Sequence, residues 1–440
     1  MNLVLAKTDT ERGLGDVFTL ARDRLPGTGR VLDVRRQAFG AYERAGLPHR
    51  RIEEWKYTDL RALMREVLPL ADRPAADALA RARAALASVT IDNATRLVLV
   101  DGVFVPELSD LAAAGAGLFV QSLREVLENT GNEARADLLL TDVADAMLSL
   151  NAAMVTDGVV VAIGDGVALT EPVHIIHVAT ASSRSTFTRS HVKIGRGARV
   201  KLVENFVVAA GAEAYQAHDA VVTSIGEAAE LAHVRLMADA ADAFNVTSAI
   251  LTIGAKSRVG LFNMTSGGAV SRFQGFIKFA GEGSELSVNG VNLLKGKQHG
   301  DTTLVVDHAV PHCTSRENFR AVIDDRGHSV FQGRIIVRPD AQKTDGKMMT
   351  RALLLSDEAE ADNKPELEIF ADDVTCGHGA TAGALDDSLL FYLRARGLPE
   401  KEAQALLIQA FVGEAIEEIG DDALRELAMA TAERWLEART

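Results

Sequence analysis

The chain has 440 residues, 47% of them hydrophobic, enough apolar mass for two or three packed units, which argues against disorder as its general state. A net charge of −14 and an aromatic content of 5% disfavour nucleic acid and acidic membrane surfaces as partners. Only two cysteines, Cys313 and Cys376, are present, so there is no disulfide framework, C-x-x-C redox pair or four-cysteine zinc ribbon.

The amino terminus is a short apolar run, residues 1–6, followed by charge, and does not read as a signal peptide. No run of about 18 apolar residues occurs, so no membrane-spanning helix is expected and the chain reads as cytoplasmic. Residues 10–68 and 77–86 carry Ala, Leu, Arg and Glu at helical spacing. Within the first stretch lies the charged aromatic phrase Arg51-Ile52-Glu53-Glu54-Trp55-Lys56-Tyr57-Thr58-Asp59-Leu60. A mixed pattern follows, strand-like at 97–100 and 118–120. Residues 1–150 are therefore expected to form a helical and mixed α/β domain.

From about residue 157 to 381, short β-branched runs alternate with Gly, Asn and Asp turns, and no amphipathic helix interrupts them. One turn-then-strand phrase recurs: IGRGARV from Ile194, IGEAAEL from Ile225, IGAKSRV from Ile253 and AGEGSEL from Ala280. The starts lie 31, 28 and 27 residues apart, and a looser copy, DDRGHSV, begins at Asp324. Glycine-marked repeats of this period predict stacked coils, each burying its apolar face only against its neighbours. The expected fold is mainly β with flanking helices, built on a parallel β-helix core over 151–384.

Residues 385–440 turn helical again. Asp386-Asp387 suits an N-cap, and Gly397-Leu398-Pro399 ends one helix and opens the next. The second helix carries two apolar stripes, one of Ala403, Leu406, Leu407, Ala410 and Phe411, the other of Ile408, Val412, Ala415, Ile416 and Ile419. A helix apolar on most of its circumference needs cover on more than one side. The third helix, through Leu424, Leu427, Ala428 and Trp435, supplies one cover; the β core or a partner protein supplies the other.

The chemistry-bearing segment is Asp372-Asp373-Val374-Thr375-Cys376-Gly377-His378-Gly379-Ala380-Thr381. In a strand, residues two apart share a face, so Cys376 and His378 can present a thiolate and an imidazole side by side to iron, copper or an iron–sulfur cluster. A cluster normally takes four ligands, so either this is no metal site or another chain supplies the rest. Asp372 and Asp373 could orient the imidazole but fit an exposed acidic turn better. His308, His312 and Cys313 read as a polar corner of the coil. His174 and His177, three apart, face opposite ways in a strand and cannot share a metal. No phosphate-binding G-x-x-x-x-G-K-[ST] loop, dinucleotide fingerprint, G-x-S-x-G elbow or H-E-x-x-H helix occurs.

Several phrases together resemble the SufB/SufD family of the SUF iron–sulfur cluster assembly system. They are the 51–60 phrase, Ala341-Gln342-Lys343-Thr344-Asp345, Leu353-Leu354-Leu355-Ser356, Pro365-Glu366-Leu367-Glu368-Ile369, Ala371-Asp372-Asp373-Val374, Cys376, His378-Gly379-Ala380-Thr381 and Leu390-Phe391-Tyr392-Leu393-Arg394-Ala395-Arg396-Gly397. The SufB branch tends to carry a Glu-His-Glu-Ala-Thr type of phrase around position 378, which favours the SufD branch. Gly377 and Gly346 depart from the family's usual Ser and Ala.

The resemblance implies a right-handed parallel β-helix flanked by helical domains, in a non-catalytic scaffold that pairs with a SufB-type subunit and docks a SufC-type ATPase. It implies that His378, with Cys376 beside it, contributes to iron or a transient cluster shared with SufB. Leu389, Phe391, Tyr392, Ile408, Val412 and Ile416 are the residues expected to meet the ATPase. A homodimer is expected when the partners are absent, and a flavin in the complex is not legible in this chain. Two other readings stay open: a carbohydrate-active β-helix lyase or hydrolase, and a SufB-type homo-oligomeric scaffold.

Overall fold

A computed structural model describes residues 7–111 and 115–439, so the apolar run at 1–6 lies outside the described residues. Two sheets, of ten and nine strands, face one another across a packed lumen, and the chain passes from one to the other in each coil. Gln216–Ile225, for example, belongs to the nine-stranded sheet and Glu230–Met237 to the ten-stranded one. Each strand pairs in parallel with the strand one full coil away. This is the expected parallel β-helix, with helices on both sides.

The repeated phrase is the corner between the two sheets. Ile194, Ile225, Ile253 and Phe279 are partners in one register column, which continues through His308 and Val337 to Ile369. The glycine of each copy sits where the previous coil's backbone comes close. A Cβ at Gly195, Gly226, Gly254 or Gly281 would lie 2.6, 2.8, 2.7 or 2.1 Å from it. Two residues later the chain turns left-handed, at Gly197, Ala228, Lys256 and Gly283. The looser copy at Asp324 is a different feature: it forms the opposite corner, between Thr314–Ile323 and His328–Val337.

The two strands of the expected α/β region join the same stack. Thr95–Val100 pairs in parallel with Val173–Ala179 and is followed by the short antiparallel strand Val103–Phe104. Leu118–Ser122 closes the other sheet by pairing antiparallel with Val159–Ile163. One end of the solenoid is thus capped by antiparallel strands that end the pairing.

Helices cover the outer faces. Asp9–Ala21, Arg30–Ala45 and Ala146–Met154 bury Leu14, Phe39, Tyr42 and Met154 against Phe187, Phe244 and Val270 of the nine-stranded sheet. The 51–60 phrase clamps this layer down. The Arg272 guanidinium lies 3.7 Å from the Trp55 ring centroid, pairs with Asp301 and donates to the Glu54 carbonyl at 2.7 Å. The Thr58 hydroxyl donates to Asp301 and meets His299 Nε2 at 2.9 Å.

On the ten-stranded sheet, Glu400–Ile416 and Asp422–Glu437 pack over Val234, Phe262, Met264, Val291 and Val322. Ile408, Val412 and Ile416 are fully buried there. Their expected role as a docking face is corrected: the β core is the second cover, and a side chain spent on the core cannot also meet a partner.

Arg272→Ala would strand the Asp301 carboxylate without its cation in a site neither residue shares with solvent. Urea unfolding is expected to show a loss of about 3–5 kcal/mol.

Candidate functional site

The last strands of the two sheets are Glu360–Ile369 and Thr375–Gly383, and no residue in either is buried. Each pairs on one side only and forms the edge of its sheet. This end of the solenoid is therefore open: its edge strands present unpaired backbone N–H and C=O groups. Ile369 and Phe370, 42% and 58% exposed, add apolar surface beside them.

Cys376 and His378 sit on the final strand. Cys376 continues the column Leu286, Ser315, Gly346, and His378 the column Val288, Glu317, Met348. Leu286, Val288 and Met348 belong to the lumen core, so both columns face inward. The thiol and the imidazole thus share one face at the open mouth of the lumen, as their spacing predicts, with Cα atoms roughly 6.6 Å apart. Cys376 is half-buried against the lumen core and His378 is exposed. Among the described residues neither belongs to a group of three or more ligand atoms close enough to hold an ion.

Burial pushes the Cys376 thiol up, and the carboxylates of Asp345 and Glu317 push it the same way. Since metal binding needs the thiolate, a cation must arrive to draw the proton off. Glu317, which sequence reasoning did not single out, lies in the His378 column one strand further in than Met348. It is fully enclosed, both carboxylate oxygens lack a hydrogen-bond partner, and burial raises it to about 8. Its only sequence signal is an acidic residue among inward positions filled elsewhere by Leu and Val.

The other candidates separate. Asp373 is held in its turn by Lys343 and by Gln342, whose side-chain oxygen accepts its N–H at 2.9 Å. His308 and Cys313 are buried, while His312 is exposed at a left-handed turn with φ of 61°. His308 Nε2 meets the Ser315 hydroxyl at 3.0 Å, and burial lowers its pKa to about 4. His174 and His177 do face opposite ways: His174 bonds Asn205 at 2.7 Å, and His177 stacks on Phe206.

Leu389, Phe391 and Tyr392 lie on Asp387–Ala395, a helix with no buried residue, and are 51%, 74% and 54% exposed. Beside them a groove of about 580 Å³ is lined by Phe391, Arg394, Leu398, Pro399 and Glu400. No helix among the described residues is long and apolar enough to cross a membrane.

Two family models match the chain: the SufBD core domain of SUF-system iron–sulfur cluster assembly over residues 177–411, and the SufBD protein N-terminal region over 16–175. The chain is 32% identical to the iron–sulfur cluster assembly protein SufD of Escherichia coli, covering 88% of this chain and 89% of that one. It is 30% identical to a SufBD family protein of Synechocystis, covering 85% and 84%. It is 27% identical to SufD of Bacillus subtilis, covering 66% of each.

Glu317 gives the lumen a pH signature. Its carboxyl is raised from 4.5 to about 8, so between those values the folded chain keeps a proton that the unfolded chain loses. Stability contributed by the protonated form is present below pH 4.5 and declines as pH rises towards 8. Glu317→Gln is expected to flatten this dependence and to stabilise the chain at pH 8 by about 2–4 kcal/mol, read by thermal melts across the range.

Proposed function

The chain belongs to the SufBD family of SUF iron–sulfur cluster assembly proteins, SufD type, and from that premise we propose that it is a non-catalytic scaffold whose open solenoid end completes an iron or cluster site with a SufB-type subunit. The observation that carries this reading is the pair Cys376 and His378, on the lumen face of an unpaired edge strand with no third ligand atom close by among the described residues. A second β-helix could extend both sheets by strand addition, and its own ligands would then face the same mouth. The cluster is cargo, handed on after assembly. In the absence of SufB, two copies joined end to end would satisfy the same edges.

The ATPase subunit docks, in this reading, on the exposed surface of Leu389, Phe391 and Tyr392 and the adjoining groove. Ile408, Val412 and Ile416 support that surface from below without touching the partner. ATP-driven approach of two ATPase subunits would pull on the helices of 386–420 and work on the contact between the two scaffold subunits. For this to drive anything, ATP must favour one arrangement of the complex over the other. The reading places the chain in the cytoplasm, and family membership displaces the carbohydrate-active alternative.

In His378→Ala, folding and assembly with both partners are expected to persist on native mass spectrometry. Cluster formed on the complex, read by anaerobic absorbance, should fall by at least about tenfold; an unchanged yield would remove His378 from the site. Phe391→Asp is expected to leave the circular dichroism unchanged and weaken ATPase binding by about 30-fold or more. Ile408→Asp should instead unfold the C-terminal helices.

A further inference from the structure

A second set of ligand atoms lies inside the solenoid near its capped end. His177 and Glu204 come from adjacent strands of the ten-stranded sheet, and Asp219 comes from the facing sheet across the lumen. His177 Nε2 stands 3.8 Å from Glu204 Oε1 and 4.0 Å from Asp219 Oδ1, and all three atoms lie within 4.8 Å of one another. Neither His177 Nε2 nor Glu204 Oε1 has a hydrogen-bond partner, although the Glu204 side chain is completely enclosed.

The surrounding groups hold these atoms in place. Glu204 Oε2 accepts from His233 Nε2 at 2.8 Å and from Arg235 Nε at 2.6 Å, leaving Oε1 turned towards His177. Asp219 Oδ2 accepts from Thr247 and Arg235 at 3.1 and 3.3 Å, and its Oδ1 accepts from Thr188 at 2.7 Å. Phe206 stacks on the His177 ring at 4.4 Å and 2°, fixing its plane. Burial alone would neutralise Glu204, but Arg235 and the neighbouring histidines keep it ionised.

Charge and space both favour a cation. The two carboxylates face one guanidinium within ion-pair distance among the described residues, that of Arg235. His177 and Asp219, though not Glu204, line an adjoining cavity of about 40 Å³ whose walls also carry Asp101, Asp239 and Arg184. That volume accommodates an ion with a water or two.

We propose that this lumen site binds one first-row divalent cation, such as Fe(II), Mn(II) or Zn(II), through His177, Glu204 and Asp219. One imidazole nitrogen and two carboxylate oxygens without sulfur select a borderline-hard ion rather than Cu(I) or a cluster. Ligand atoms of a tetrahedral ion sit about 3.4 Å apart, so the two distances from His177 must shorten by roughly half an ångström. The hydrogen bonds to the outer carboxylate oxygens orient the ligands as supporting groups do in metal sites. The cation ties the two sheets together across the lumen. Six strand steps, roughly 29 Å, separate Glu204 from the final strand, so this site is independent of Cys376 and His378.

The test uses the full chain, stripped with chelator and titrated anaerobically with Co(II). One equivalent should bind, with visible d–d bands and a rise in melting temperature. X-ray absorption should show nitrogen and oxygen neighbours only. His177→Gln, whose parent side chain makes no hydrogen bond in the cavity, should weaken binding by at least about tenfold. The double variant Cys376→Ala, His378→Ala should bind as the wild type does. No uptake by the wild type, a sulfur neighbour, or binding that survives His177→Gln but vanishes in the double variant would overturn the proposal and leave the cavity to water alone.

Discussion

A coil of a parallel solenoid can satisfy its backbone only with the coils above and below it, and the other features of this protein follow from that. Inside the stack the constraint writes columns: Ile194, Ile225, Ile253 and Phe279 lie over one another because any slip would turn every side chain to the wrong face. At the ends it demands termination. One end is finished by antiparallel strands, whereas the other stops at two edge strands with no buried residue. The candidate ligands Cys376 and His378 stand at the unfinished end, beside its unpaired edges.

The lumen is also a place where charge is expensive. Glu204 and Asp219 share the one guanidinium of Arg235 there, and Asp301 pairs with Arg272 beneath the outer helical layer, each group enclosed. Burying such groups costs several kcal/mol per ion before their attraction returns it, so these pairs specify one arrangement more than they stabilise it. Glu317 has no such partner, and it stays protonated near neutrality. A proton held two strands inward of His378 keeps the mouth from carrying a fixed negative charge, while leaving one available if a cation enters.

How far the sequence reached depended on how local each cause is. The corner phrase was legible because backbone proximity at Gly226 and the left-handed turn at Ala228 both act within a few residues. The shared face of Cys376 and His378 needed only the two-residue period of a strand. The helix 400–416 announced two apolar stripes and one cover, the third helix, but left the second open, because Val234, Phe262 and Val291 lie more than a hundred residues upstream. Glu317 and the trio His177, Glu204 and Asp219 were illegible for a related reason. Their meeting depends on the register carried through successive corners of unequal length, and no single segment contains it.

The clamp at Trp55 has a temporal side. Its segment is synthesised 218 residues before Arg272, whose side chain donates to the Glu54 carbonyl, and Arg334, 280 residues on, pairs with Glu54 as well. At translation speeds of about 5–20 residues per second, the helical layer waits roughly 10–60 s for the surface that will receive it. During that interval Leu14, Phe39 and Trp55 lack the Phe187, Phe244 and Val270 surface against which the finished fold buries them.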